Sequence, residues 1–148
     1  AATVKKEGAD NFFQKYLYMG VFPMCPYPAN DHSIGPDSLV DSYYMAYAPL
    51  MHQMRGREWV LTPHAVNVEN NLAKANLFRT PEGFVLPVVY GKTKQVHVSM
   101  KSGLKIGSCE VWYPGKTKGI PLQPVIKGDQ VIFEVPLERG CAMVSIRH

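Results

Sequence analysis

The hydrophobic pattern of this chain changes its period near residue 58. Between residues 9 and 56, apolar side chains recur every three or four positions, which predicts two helices, one capped by Asp10 and one beginning near Asp37 or Ser38. Pro49 lies inside the second helix and predicts a bend, while Gly56 predicts its end in a left-handed cap. Between the helices, the apolar run 18–24 predicts a short buried strand.

From residue 58 onward, short apolar segments alternate with turns. The candidate strands are 58–61, 65–69, 73–79, 83–90, 95–100, 108–113, 125–126, 130–134 and 142–146. In two of them the side chains alternate between two faces, Val96, Val98 and Met100 against His97 and Ser99, and Val131, Phe133 and Val135 against Ile132 and Glu134. This predicts strands that are buried on one side and therefore two packed sheets. The predicted fold class is mainly β: an antiparallel two-sheet β-sandwich at 58–148, preceded by a short helical segment at 1–57. No linker separates the two parts, so we expect them to pack directly on each other.

Length and composition narrow the function classes. The chain has 148 residues, fewer than the roughly 200 of a complete eight-stranded α/β barrel. Apolar residues make up 46% and charged residues 19%, which excludes a disordered chain. The net charge is +4, but the basic residues are scattered and only Lys5 and Lys6 are adjacent, so no nucleic-acid partner is predicted. No run of eighteen apolar residues occurs, and no membrane span is predicted.

The candidate chemistry offers little support for catalysis within this chain. Cys25, Cys109 and Cys141 have no Cys-x-x-Cys spacing, so neither a disulfide framework nor a zinc site is predicted. Cys109 and Cys141 are expected to fill core positions, with pairing between them left open. No nucleophile elbow is present, and no cofactor or catalytic metal is predicted. An oxygen-rich calcium loop within 30–37 is kept as an alternative.

The polar loop at 26–36 carries the predicted binding residues. Tyr27, Asn30, Asp31 and His32 supply an aromatic face, an amide, a carboxylate and an imidazole, a set suited to sugar binding. The loop follows a predicted buried strand, the position at which barrel enzymes place substrate-binding residues. A small enzyme complete in this chain and using Asp31 and His32 is a further alternative.

Aromatic residues of the second part suggest a separate sugar-binding surface. Trp112, together with Trp59, Tyr90 and Tyr113, is a candidate for a flat platform under sugar rings. For Trp59 we favour another role, that of a core anchor at the junction between helices and sheets. A freestanding carbohydrate-binding or adhesive sandwich is accordingly the alternative function.

The layout of the chain resembles the end of a glycoside-hydrolase α/β barrel followed by a small accessory sandwich. The likeness is carried by YLYMGVFP, by RGREWVLTPHAV and by later strand strings, at residues 16–23, 55–66, 75–78, 85–89, 133–137 and 142–146. It covers nearly the whole chain as a likeness of layout and short strings. In such enzymes a last barrel strand and helix lead into a C-terminal antiparallel sandwich.

The resemblance implies a non-catalytic C-terminal accessory region that packs on and borders the catalytic barrel of the same parent chain, with carbohydrate as ligand. The family's acid and nucleophile come from earlier barrel strands, so no catalytic residue is carried over. Tyr27, Asn30, Asp31, His32 and Trp112 keep a substrate-binding role only. We therefore expect the chain to be a fragment of a longer hydrolase. That hydrolase is expected to be exported to the periplasm or outside the cell if its upstream part carries an export signal.

Overall fold

The computed structural model describes residues 8–23, 38–101 and 106–148. Two helices come first, α1 (Ala9–Met19) and α2 (Ser38–Gln53). Eleven strands follow: β1 (Glu58–Trp59), β2 (Val66–Val68), β3 (Lys74–Ala75), β4 (Phe78–Thr80), β5 (Gly83–Val89), β6 (Gln95–Lys101), β7 (Cys109–Trp112), β8 (Ile120–Pro121), β9 (Val125–Lys127), β10 (Gln130–Pro136) and β11 (Ala142–Arg147). A short 3-10 helix (Glu69–Asn71) lies between β2 and β3.

The strands form two antiparallel sheets, as the alternation predicts. The large sheet has the order β1-β4-β5-β11-β7-β8, with β3 also paired to β5. The small sheet has the order β2-β6-β10-β9. On β6, Val96, Val98 and Met100 are buried while His97 lies at the surface and Ser99 is half-buried, and β10 alternates in the same way. The chain is therefore mainly β, an antiparallel two-sheet sandwich preceded by a helical segment.

Strand β5 is buried on both faces because it lies in the middle of three layers. Phe84, Leu86 and Val88 belong to the apolar cluster between the sheets, whereas Val85 and Val89 belong to a second cluster with the helices. The helices thus cover the face of the large sheet that points away from the small one. Direct packing of helices on the sandwich, expected from the lack of a linker, is confirmed.

A proline explains why the predicted strand 73–79 is divided into β3 and β4. Pro87 lies within β5 opposite the break, and it has no N–H to donate to a neighbouring strand. The backbone N–H of Asn76 still donates to Pro87 O at 3.1 Å. The Asn76 side chain donates to Tyr18 O at 2.9 Å, so the break also satisfies a carbonyl at the end of α1.

The predicted strand at 18–24 is wrong for its described part, because α1 continues through Met19 and residues 21–23 are neither helical nor paired. Gly20 ends the helix at φ 68°, and its N–H donates to Leu17 O. A Cβ at Gly20 would lie 2.6 Å from the Phe78 ring, so only glycine fits this turn. The chain after Gly20 consequently leaves the core, and Val21 and Phe22 are exposed.

Two other helix predictions have different outcomes. Helix α1 begins one residue before Asp10, after Gly8, so Asp10 does not cap it and instead lies in its first turn. Helix α2 (Ser38–Gln53) confirms the predicted second helix, continues through Pro49 without being split, and is followed by Gly56 at φ 71°.

Candidate functional site

The predicted sugar-binding loop lies outside the described residues. This applies to Tyr27, Asn30, Asp31 and His32, to the calcium alternative and to Cys25. Their role in binding stays a prediction. The functional surfaces that can be built from described residues lie on the helical layer and on the two sheets.

Trp112 is the one predicted site residue that the structure describes. It lies on β7 beside Met143 of β11, and its half-buried ring packs against the helix-side cluster. The indole Nε1 is buried and has no hydrogen-bond partner among the described residues. A Cβ on Gly119 would lie 2.8 Å from this nitrogen, so glycine is required for the close contact. The substrate-binding role of Trp112 stays a prediction.

The four candidate platform aromatics do not share one surface. Tyr113 is buried in the cluster between the sheets, while Trp112 faces the helices from the other side of the large sheet. Trp59 is 59% exposed on the edge strand β1, so the favoured role as a core anchor is wrong. Its ring meets the buried Phe78 ring edge-on at a centroid distance of 5.2 Å. An edge strand has no neighbour on its outer side to cover such a side chain.

A buried polar network connects α1 and α2 to the large sheet. The Gln14 amide, which is 1% exposed, donates to Tyr47 Oη at 3.1 Å and to Arg139 O at 2.8 Å, and it accepts from Tyr90 N at 2.9 Å. The Tyr47 hydroxyl donates to Asp10 Oδ1 at 2.7 Å, and Arg139 donates to the same oxygen. Burial raises the pKa of Tyr47, so its hydroxyl stays protonated. The network holds the helices in place and offers no free nucleophile.

An exposed apolar rim surrounds the end of α1. We define the rim as Met19, Val21, Phe22 and Trp59, which lie around the contact between Gly20 and Phe78 and are each more than a third exposed. Arg57 holds the rim together, since its guanidinium lies 4.4 Å from the Phe22 ring centroid and its Nε donates to Gly20 O. Arg57 thereby fixes Gly20 and Phe22 at the end of α1, on the side of Phe78 that also carries Trp59 of β1.

A charged cleft of about 520 Å³ lies between the end of α2 and the β4–β5 turn. It is lined by His52, Arg55, Glu82 and Arg147, and Arg147 Nε lies 3.5 Å from Glu82 Oε2. Glu82 is the one carboxylate among its described lining residues. The usual glycosidase chemistry needs two carboxyl groups facing each other across the sugar. The lining of this cleft does not supply that pair.

The described cysteines are structural. Cys109 and Cys141 are free and buried, which confirms their predicted core positions. Burial raises the pKa of both thiols, so neither is a ready nucleophile. Within 8–23, 38–101 and 106–148, no three His, Cys, Asp or Glu side chains are grouped to hold a metal ion. None of the described helices is long and apolar enough to span a membrane.

The polar network and the rim were missed at the level of sequence. Asp10 and Arg139 are 129 positions apart, and nothing in their spacing indicates contact. Comparison with known proteins found no matching family model and no matching curated sequence.

Proposed function

We propose that this chain is the C-terminal region of a carbohydrate-active glycoside hydrolase, in which the helical layer is the end of the catalytic barrel and the sandwich is a non-catalytic accessory domain. The role of the sandwich is structural. It buries one side of the helical layer and borders the substrate cleft, while the acid and nucleophile come from barrel strands earlier in the parent chain.

The observation that carries this proposal is the exposed apolar rim. The helices bury one face against the large sheet through a continuous cluster, yet Met19, Val21, Phe22 and Trp59 remain at the surface beside it. Several large apolar side chains exposed in one region of a folded protein are typical of an interaction surface. The rim lies within the strings that resemble the last barrel elements, where the rest of a barrel would pack.

The coding sequence directly upstream of Ala1 tests the proposal. We expect an open reading frame that continues upstream for roughly 200 residues or more with alternating strand and helix patterns. The longer protein should hydrolyse at least one member of a panel of chromogenic aryl glycosides, whereas the 148-residue chain should hydrolyse none. A stop codon or an unrelated domain upstream, or robust turnover by the 148-residue chain, would refute the proposal.

A pair of matched variants tests the rim itself. Phe22→Asp places a charge on the rim, and Ile126→Asp places one on β9 of the small sheet; the two side chains are 49% and 67% exposed. In the longer protein, Phe22→Asp should lower the melting temperature by several degrees, since it removes the ring from the contact with the barrel and desolvates a carboxylate together with the neighbouring Arg57 guanidinium. Ile126→Asp should leave it unchanged. In the 148-residue chain both variants should change stability by less than about 1 kcal/mol, because a carboxylate at position 22 exchanges the Arg57–ring contact for an exposed charge pair. Equal effects of the two in the longer protein would argue against the rim as an interface.

A further inference from the structure

The outer face of the small sheet carries a polar groove of about 450 Å³ that none of the functions above uses. Its lining residues are Asn67, Glu69, His97, Ser99, Lys127, Gln130 and Ile132. Small-molecule sites have volumes of about 300–1,000 Å³, so the groove is large enough for a ligand. It lies on the face of the small sheet that points away from the large sheet and the helices.

The strand register explains why this face is concave. Ser99 lies at the centre of the face, paired with Asn67 of β2 on one side and with Ile132 of β10 on the other. Along β6, the outward neighbours of this small side chain are the much larger His97 and Lys101. A short side chain surrounded by longer ones leaves a depression, and the half-buried Ser99 is its floor. The neighbouring inward residues are fixed in the core, so the backbone under the groove is rigid.

One end of the groove is bounded by His97 and two carboxylates. His97 Nδ1 lies 3.2 Å from Glu69 Oε2, and His97 Nε2 lies 3.7 Å from Glu134 Oε2. The imidazole is thus held between two carboxylates that come from two different neighbouring elements. The Gln95 amide also donates to Glu134, which orders the same end.

The remaining polar groups of the groove are free. Asn67, Ser99 and Gln130 make no side-chain hydrogen bond within the described part of the chain. They supply two amides and a hydroxyl, each able both to donate and to accept. Ile132 adds one apolar side chain in the same row as Ser99 and Asn67. The lining residues Glu69 and Lys127 carry opposite formal charges, and Glu134 adds a carboxylate at the His97 end.

We propose that this groove binds a neutral saccharide. A sugar presents hydroxyls that both donate and accept hydrogen bonds and a C–H face that is apolar, and the groove offers partners for both. The choice of a saccharide among polar neutral ligands rests on the proposed function. The sandwich would then hold substrate at a point remote from the catalytic barrel.

Titration of the uniformly ¹⁵N-labelled 148-residue chain with oligosaccharides, followed by ¹H–¹⁵N NMR, tests the proposal. The probes are cellotriose, xylotriose, maltotriose, mannotriose and triacetylchitotriose, with glycerol as a generic polyol. We expect saturable shifts at the amides of Asn67, Ser99 and Gln130 with at least one sugar, with a Kd of about 1 mM, as fits a shallow site with few contacts. Ser99→Ile should abolish them, because it fills the floor with a β-branched side chain that strands accept.

Matched variants separate the groove from general surface effects. Asn67→Ala with Gln130→Ala should weaken binding at least about fivefold through lost hydrogen bonds. Asn11→Ala with Gln123→Ala, which changes exposed amides elsewhere, should leave Kd unchanged. Shifts with no sugar, equal shifts with glycerol, shifts confined to other surfaces, or unchanged binding in a folded Ser99→Ile variant would overturn the proposal. The upstream sequence and glycosidase assays decide the proposed function separately, so either can fail alone.

Discussion

The strongest test of how the helical layer is attached is Gln14→Met. Methionine has a similar length and shape but cannot make the hydrogen bonds of the amide, so the substitution removes the centre of the buried network without leaving a large cavity. The amide makes three contacts, with Tyr47 Oη, Arg139 O and Tyr90 N, at 3.1, 2.8 and 2.9 Å. Of these partners, the Tyr47 hydroxyl keeps its bond to Asp10.

The cost follows from the two backbone groups that lose their partner. The Tyr90 N–H is half-buried, and an unsatisfied buried donor costs about 1–3 kcal/mol. Arg139 is an exposed residue, so water can replace part of the bond to its carbonyl, and we assign about 0.5–1.5 kcal/mol. The expected loss in the free energy of unfolding is about 3 kcal/mol. For a chain of this size that corresponds to a fall of roughly 6–12 °C in Tm.

Urea unfolding followed by tryptophan fluorescence measures this loss, with Gln123→Met as the control. Gln123 lies exposed in the segment between β8 and β9, and its substitution should change stability by less than about 0.5 kcal/mol. Tyr47→Phe should cost about 1 kcal/mol, and its effect should not add fully to that of Gln14→Met, since both residues belong to one network. If Gln14→Met is as stable as the control, the Gln14 hydrogen bonds do not stabilise the attachment of the helical layer to the sandwich.

Three further predictions concern backbone strain, thiol reactivity and pH. Gly20→Ala should lower the free energy of unfolding in urea by about 2–4 kcal/mol, because it combines a left-handed φ of 68° with a Cβ only 2.6 Å from the Phe78 ring. Gly115→Ala has a similar φ of 79° but free space around its Cβ, so it should lower this free energy by only about 1 kcal/mol. Equal losses would contradict the clash at Gly20. Burial raises the pKa of the Cys109 and Cys141 thiols, so neither should react with iodoacetamide at pH 8 in the native chain. Both should react after unfolding, as measured by peptide mass spectrometry. Rapid labelling of either thiol in the native chain would contradict its burial. Folding also raises the pKa of Tyr47 above its ordinary 10.0, so the stability linked to its protonated hydroxyl is complete below pH 10 and is lost as the pH rises further. In urea unfolding measured between pH 9 and 11, Tyr47→Phe should reduce this loss of stability with pH. The same dependence on pH in Tyr47→Phe and the unmodified chain would contradict the linkage.

Hydrophobic periodicity was enough to predict the layers of the sandwich. The alternation along β6 and β10 assigns each side chain to a face before any partner strand is known, because successive strand residues point to opposite sides. The second helix and the left-handed glycine that follows it were predicted for a similar local reason. These features depend on neighbours within a few residues, which a sequence displays directly.

The failures arise where distant contacts decide. The run 18–24 has the composition of a strand, but among the described residues no neighbouring strand pairs with it, and the Gly20 turn directs it to the surface. Strand β8 has only two residues and is defined by its pairing with β7, so the hydrophobic pattern of the sequence did not predict it. Trp59 is apolar enough for a core, yet its place on an edge strand leaves it exposed.

The fold class, the alternation of inner and outer faces and the scatter of the basic residues could all be predicted from the order of the amino acids. The folded chain was needed to see that helices cover the second face of the large sheet, that Gln14 links α1 to the Arg139 turn, and that Asn67, Ser99 and Ile132 form one row of a groove. The difference comes from strand register and layer packing. Periodicity fixes which way a side chain points, whereas the pairing of strands and the packing of layers fix what it meets there.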